Sequence, residues 1–453
     1  MTRRPSIQEL RRELATLVSL AAPITAAQLG LVTLGLVEVA ILGHAAPGQL
    51  GGAAVGRSIA FLALSLGIGI TAALEPLASQ AVGAREPKTA WNAFLSTTLA
   101  GALVSVPCVL LASASTWLLE PLGVAPEIVH PARAFVIAMS PGFVLQVVFL
   151  SAKALLQAYK RTLPAIVAAV VANAVNVVVC ATLVLGDDGL ARWGAPRLGV
   201  PALGAVGAGL ANSVANGVLA VCVIIPAWKL RPHAGSAGER VPVARVLRLG
   251  LPISMGVLAE MGVFSLVALL AGRLGNIAVS AHQIAIGVTS FTVMGALGIS
   301  GATAVCVGHA IGERRSPLVP GILGLALGAA FMACAGCALV AAPRAVAFAF
   351  TSDPEIVALA EKLLYIAAAF QLFDGIQAVA GGALRGAGDV RFPFVVSVAA
   401  YWLLGFPTSL ALGFGLAWGA PGLWWGLLVG LAIAASLLAG RFFVITRRPI
   451  RRV

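Results

Sequence analysis

The chain has 453 residues, of which 60% are hydrophobic and only 10% charged, and its mean hydropathy is +0.99. A soluble protein carries charge on about a quarter of its residues, so this composition excludes an ordinary soluble domain and implies an outer surface as apolar as the core. The net charge of +13 would suit a nucleic-acid binder if the basic residues formed one patch. They lie instead in small groups between apolar runs, which leaves the lipid bilayer, and no nucleic acid, as the partner.

A bilayer core of about 30 Å needs roughly 20 helical residues to cross it. Apolar runs of that length predict twelve spanning helices, and the fold class is all-α, a polytopic membrane protein. Span 1 covers residues 17–43 and follows Arg3, Arg4, Arg11 and Arg12. It is too long for the apolar core of a signal peptide and no small-residue cleavage site ends it, so it reads as the first helix of the mature protein. It carries Pro23, Gln28 and, in its outer half, Glu38. Span 2 (52–82) places Glu75 directly before Pro76, and GAREPK (83–88) breaks the chain after it. Spans 3 (90–113) and 4 (128–150) follow, with Lys153 near the inner end of span 4, where it is expected to snorkel to the interface. Spans 5 (164–186) and 6 (201–227) flank GDDGLARWGAPR (186–197) and hold Asn173, Asn176 and Asn212.

After a basic segment the second set begins with span 7 (249–273), which carries Glu260 near its middle. Span 8 (282–311) opens on His282 and Gln283, and span 9 covers 319–342. Span 10 (355–383) contains Asp374 and Gln377, and spans 11 (393–416) and 12 (421–445) complete the chain. Trp402, Trp418, Trp424 and Trp425 read as interfacial anchors. Cys108, Cys180, Cys222, Cys306, Cys334 and Cys337 all lie in apolar runs and read as small packing residues, since the Cys334/Cys337 pair has no His or second pair to make a metal set.

An acidic side chain at a helix centre in lipid costs about 2.5–3.5 kcal/mol, so it faces a cavity or a partner. Glu38 also has the reading of a side chain that reaches the outer interface, and Glu75 that of a structural acid beside a proline kink. Glu260 and Asp374 fall in the same half, and a shared cavity would bring two carboxylates together to bind a monovalent cation or hold one proton.

The positive-inside rule sets the orientation. With the N-terminus inside, 23 of the 30 Lys and Arg residues fall on the cytoplasmic side. The other seven are Arg57, Arg133, Arg192, Arg197, Arg273, Arg344 and Lys362. Both termini are therefore expected in the cytoplasm. The halves are also related. A shift of 229 residues places Pro23-Ile24 on Pro252-Ile253, Gly43 on Gly272, Gly83 on Gly312 and Arg85 on Arg314. With one residue of slippage Glu127-Ile128-Val129 falls on Glu355-Ile356-Val357. Six spans per repeat make this a parallel repeat. The expected division is an N-terminal lobe at 1–227, a cytoplasmic linker at 228–248 and a C-terminal lobe with basic tail at 249–453.

Several stretches, ordered over residues 20–395, resemble the multidrug and toxic compound extrusion (MATE) family and its NorM-type branch. Span 1 has Pro23-Ile24, Gln28, Gly35-Leu36-Val37-Glu38 and Gly43, similar to P…Q…G-x-V-D-T…G. Span 2 ends in Gln80-Ala81-Val82-Gly83-Ala84, similar to Q-x-x-G-A. Leu251-Pro252-Ile253 precedes Glu260 at the family's spacing, and Ala281-His282-Gln283-Ile284-Ala285 resembles A-H-Q-I-A. Phe370-Gln371-Leu372-Phe373-Asp374, Gln377, Leu384-Arg385-Gly386 and Gly388-Asp389 resemble Q-x-x-D-x-x-Q…L-R-G-x-G-D.

The resemblance implies a monomeric antiporter without a cofactor, expelling small organic cations in exchange for H⁺ or Na⁺. It implies Glu260, Asp374 and Glu38 as cation- and substrate-binding acids, with Gln283, Gln377, Phe370, Asn176 and Glu75 in support, and any Na⁺ held at Glu260 and Asp374. Glu38 stands where the family has aspartate, Phe370 where sodium-coupled relatives can have tyrosine, and Ala208 where some have cysteine. The location implied is the inner membrane. One alternative is a lipid-linked oligosaccharide flippase, which would need cationic cavity residues for pyrophosphate. Another is an intramembrane enzyme, for which the scattered His44, His130, His233, His282 and His309 offer no nucleophile–base or zinc pattern.

Overall fold

Helix follows helix along the chain because apolar runs broken by Gly, Pro and charge leave the backbone no other way to satisfy its hydrogen bonds in lipid. A computed structural model describes residues 6–46, 48–191, 194, 199–233, 235–236 and 238–453. Arg3, Arg4, Arg192 and Arg197 of the orientation argument lie outside the described residues. All the regular structure among those residues is helical. Twelve helices are long and apolar enough to span a membrane. They are α1 Ile7–Leu42, α2 Gln49–Gly83, α3 Pro87–Leu118, α4 Pro126–Ala158, α5 Leu163–Leu185 and α6 Ala205–Trp228. The second set is α7 Val243–Arg273, α8 Asn276–Gly312, α9 Leu318–Ala341, α10 Pro354–Gly386, α11 Arg391–Gly415 and α12 Gly419–Ile445. Every expected span has its helix, and most extend past the apolar run because polar ends continue the helix beyond the hydrocarbon.

Packing divides the chain into two compact units. One comprises Ala26–Leu74 and Glu86–Ser254; the other comprises the chain up to Thr25, Glu75–Arg85 and Met255–Val453. Below they are called the first and second unit. Within the first, α4 is the hub, packed on α2, α3 and α6, and α5 packs on α6. Within the second, α10 packs in the same way on α8, α9 and α12, and α11 packs on α12. The repeat is therefore a repeat of packing as well as of sequence. α1 and α7 are peripheral, and each contributes to both units. The changeover falls after Thr25 in α1 and after Ser254 in α7, positions separated by the repeat offset, since 254 − 25 = 229. Each follows an internal proline, Pro23 or Pro252, which removes one backbone hydrogen bond at that turn.

The helix ends repeat too. Arg85 and Arg314 are left-handed, at φ 61° and 57°, and so are Lys160 and Gly388, at 59° and 82°. At three of these ends a backbone N–H reaches back five residues, from Arg161 to Leu156, from Arg315 to Ala310 and from Asp389 to Leu384. This closure satisfies carbonyls the helix end leaves open, and Arg85 and Arg314, which coincide in the shifted sequence, share the left-handed backbone.

α11 is not a plain α-helix. Val398–Gly405 and Ala411–Gly415 are wound as π-helix, and the Phe406 N–H bonds to the Tyr401 carbonyl, five residues back. Pro407 lacks the N–H that the Leu403 carbonyl would accept in α geometry, and the wider winding accommodates that gap. Cys180 and Cys306 pack in the interior as expected, but Cys334 and Cys337 are exposed, so those two are surface residues of α9 and not packing residues.

Small residues let the hub helices approach closely. A side chain at Gly382 of α10 would collide with Ser300 of α8, whose hydroxyl donates to the Ala378 carbonyl at 2.6 Å. Gly382→Leu is expected to destabilise the protein by about 1–3 kcal/mol, as overpacking does, and thermal denaturation in detergent should register a fall of several degrees.

Candidate functional site

The second unit gathers its polar groups around α10. Phe370, Asp374 and Gln377 recur at helical spacing and share one face of that helix. Asp374 is 8% exposed. Glu260 of α7 lies beside the Gln377 amide and the Tyr401 hydroxyl, and Asp374 lies close enough to interact with its charge. Both acids face the Tyr401 hydroxyl and lie within reach of one another's charge. Neither makes an ion pair among the described residues.

Tyr401 completes this group and was not foreseen. Its side chain is 0% exposed, it faces both Glu260 and Asp374, and its hydroxyl closes no hydrogen bond of ordinary geometry. The π-wound stretch of α11 carries it. The chain has three tyrosines, Tyr159, Tyr365 and Tyr401; Tyr365 shares the helix of Asp374 but is 48% exposed, so rarity alone did not single out Tyr401.

Aromatic rings wall the carboxylates. Phe264 meets Phe370 edge-on at 6.1 Å, and Phe370 meets Trp424 at 5.8 Å. Phe264 also lies 6.3 Å from the Tyr401 ring. Trp424 corrects an expectation. It is 1% exposed, and its indole N–H donates to His282 Nδ1 at 3.2 Å. An indole only donates, so Nδ1 of His282 carries no proton in this pair. Trp424 is thus an interior wall, not an interfacial anchor, and His282 acts in helix packing as expected. Gln283, one residue later, is exposed. Gln371 is buried and accepts from the Thr292 hydroxyl at 2.9 Å.

Glu75 takes the structural role. Its carboxylate pairs with Arg385 Nε at 3.1 Å, and Arg385 also donates to Ser300 at 3.3 Å. Arg385 lies eleven residues beyond Asp374, roughly 16 Å along α10 at helical rise, so this ion pair is separate from the Glu260–Asp374 group.

Glu38 and Asn176 belong to the first unit. Glu38 is 1% exposed and receives Arg57 Nη2 at 3.0 Å. The reading of Glu38 as a side chain that reaches the outer interface is therefore replaced by an ion pair whose carboxylate is buried. Arg57 Nη1 donates to the Gly35 carbonyl at 3.3 Å, and a Cβ at Gly35 would stand 3.0 Å from that nitrogen, so the glycine leaves the guanidinium room. Asn212 lies beside Glu38 and accepts from Asn216 at 2.8 Å. Asn176 is buried, and its Oδ1 has no hydrogen-bond partner among the described residues. Lys153 does not snorkel: its ammonium donates to Gln28 at 3.1 Å and lies 5.7 Å from the Phe149 ring.

This geometry can be set beside known proteins. The MatE family model matches twice, over residues 23–182 and 252–410, and the two matches start 252 − 23 = 229 residues apart, the offset of the internal repeat. The "Probable multidrug resistance protein NorM" of Rhodopseudomonas palustris is 33% identical over 96% of this chain and 93% of its own. The protein of the same description in Bradyrhizobium diazoefficiens is 31% identical over 97% and 95%. Among solved structures, the eukaryotic MATE transporter AtDTX14 has the same fold, with a TM-score of 0.84 at 22% identity over 96% of both chains. With both halves matched by one family model and full-length relatives above 30% identity, the chain is a multi-pass membrane protein of the MatE family.

Proposed function

We propose that the protein is a secondary active antiporter that exports organic, cationic compounds in exchange for H⁺ or Na⁺. The carrying observation is the pair Glu260 and Asp374, two carboxylates in spanning helices with no cation partner among the described residues. Within reach of one another's charge in an apolar setting they repel, and a single positive charge between them relieves that repulsion. A proton, a sodium ion and an organic ammonium can each supply the charge, so they compete for one place. Gln377 and Tyr401 offer further oxygens, and the Phe264 and Phe370 rings offer apolar and cation–π contact to an organic cation. Exchange follows when the competing ions differ in affinity for two states of the carrier, since a ligand shifts a conformational equilibrium only by that difference.

The names of the relatives, multidrug resistance proteins of the NorM type, support the substrate class. The bias of basic residues supports an inner-membrane orientation with both termini cytoplasmic. A monomer without cofactor or catalytic step accounts for the proposed activity.

The deciding experiment is reconstitution into liposomes, imposing a pH gradient and a sodium gradient separately while following ethidium. Export driven by one gradient identifies the coupling ion; no movement with either rejects the proposal. Glu260→Gln and Asp374→Asn are each expected to reduce ethidium export at least about tenfold, in keeping with the ~1.5–3 kcal/mol carried by a hydrogen bond to a charged group. Normal export by both variants would remove these acids from the mechanism. Tyr401→Phe removes one oxygen and leaves the ring wall in place. It should weaken ethidium binding severalfold without lowering the melting temperature, as equilibrium dialysis and thermal denaturation would show.

A further inference from the structure

The two units hold their carboxylates differently. Glu260 and Asp374 have no cation partner among the described residues, whereas Glu38 has a guanidinium on one oxygen at 3.0 Å. The groups facing Glu38 come from four helices: Gly35 on its own helix, Arg57 on α2, Cys180 on α5 and Asn212 on α6. Arg57 is the one positive charge among them. Two other cations of first-unit helices have partners of their own, Lys153 in Gln28 and Arg133 in Glu120.

We propose that Arg57 is a specificity-determining residue, a resident cation that occupies Glu38 and keeps the first unit from taking the transported cation. The inference rests on the antiport reading above and narrows it to one cation site per chain, at Glu260 and Asp374. Arginine suits the role because its guanidinium is never deprotonated and its planar fork matches a carboxylate. Tethering adds to this. A group fixed next to its partner acts at an effective concentration in the millimolar range or above, while a drug arrives at micromolar levels. A free cation of equal intrinsic affinity is therefore outcompeted about a thousandfold. The arginine is also anchored on its far side by the Gly35 carbonyl, which holds it in register with Glu38. Its side chain is 32% exposed, so its removal would leave an opening of guanidinium shape that leads to the buried carboxylate.

Benzylguanidinium carries that same head group on an organic tail, and its binding to the purified full chain can be counted by equilibrium dialysis. Wild type should bind about one equivalent, lost in Glu260→Gln. Arg57→Ala should bind about two, the second lost again when Glu38→Gln is added. Arg57→Lys, which keeps the charge, should stay at about one. Arg57→Cys guards against a folding defect. It should gain the second site, and lose it when a cationic methanethiosulfonate restores the charge, with labelled wild type as the control for the native cysteines. The inference is overturned if Arg57→Ala and Arg57→Cys gain no Glu38-dependent site, or if Glu38→Gln alone abolishes the wild-type site. Failure of the antiport reading looks different: wild type then binds none, and a single Glu38-dependent equivalent appearing in Arg57→Ala still supports the role of Arg57.

Discussion

A charge buried in a spanning helix must find a partner, and the way each buried acid meets that demand organises this protein. Glu75 finds Arg385, and Glu38 finds Arg57. Asp389, at the end of α10, finds Arg441 at 2.8 Å. Removing one partner strands the remaining charge where the pair is buried, so Glu75–Arg385 and Glu38–Arg57 fix helices against one another, while Asp389–Arg441, with Arg441 38% exposed, contributes less. Among the described residues, Glu260 and Asp374 face each other's charge and neutral Gln377 and Tyr401, and no cation. Like charges cannot settle one another. An added cation would complete the arrangement, and that difference from a closed ion pair is what supports the proposed site.

The surrounding protein supplies the rigidity such a site needs. Its hub is α10, held on three sides by α8, α9 and α12. Glycines keep the backbones close, and hydroxyls such as Ser300 and Thr303 satisfy themselves on helix carbonyls. Phe370 and Trp424 pack behind the acids, and the Trp424–His282 hydrogen bond orients the indole. α7, which brings Glu260, is among the least buried of the twelve helices and passes from one unit to the other at Ser254. The fixed part of the site thus comes from the hub, and the remaining acid comes from a peripheral helix beside a proline.

Twelve spans and their repeat were legible in the sequence because apolar length and helix-end chemistry are local properties. Pro23 and Pro252, or Arg85 and Arg314, declare themselves by position alone. The pairing of Glu260 with Asp374 was also legible, since two costly charges in one half require a common explanation. Partnerships between distant helices were not. Arg57 reads as an outer-end residue until α1 is seen to bring Glu38 and the Gly35 carbonyl to it. Trp424 reads as an anchor until His282 is found at its N–H. Lys153 reads as a snorkelling residue because its stem allows that, and only packing reveals Gln28 within reach. Tyr401 depends on a change of winding in α11, and helical periodicity carries no trace of that change.

Duplication supplied the scaffold but not the chemistry. Shifting by the repeat offset carries Glu38 to Val267, since 38 + 229 = 267, and Val267 is fully buried in the core of the second unit. Arg57 goes to Ile286 by the same step. With the one-residue slippage, Asp374 falls back on Gln146, since 374 − 228 = 146, and Glu260 at the full offset falls on Leu31. No buried acid of one half has an acidic counterpart in the other. Two copies of the same packing therefore carry opposite solutions to one electrostatic problem, a carboxylate closed by a tethered guanidinium and a carboxylate pair left open. A carrier with an open site in each half would be committed to two cations per cycle. On the antiport reading proposed above, closing one of them with an arginine would confine ion and solute to a single place, where the arrival of one requires the departure of the other.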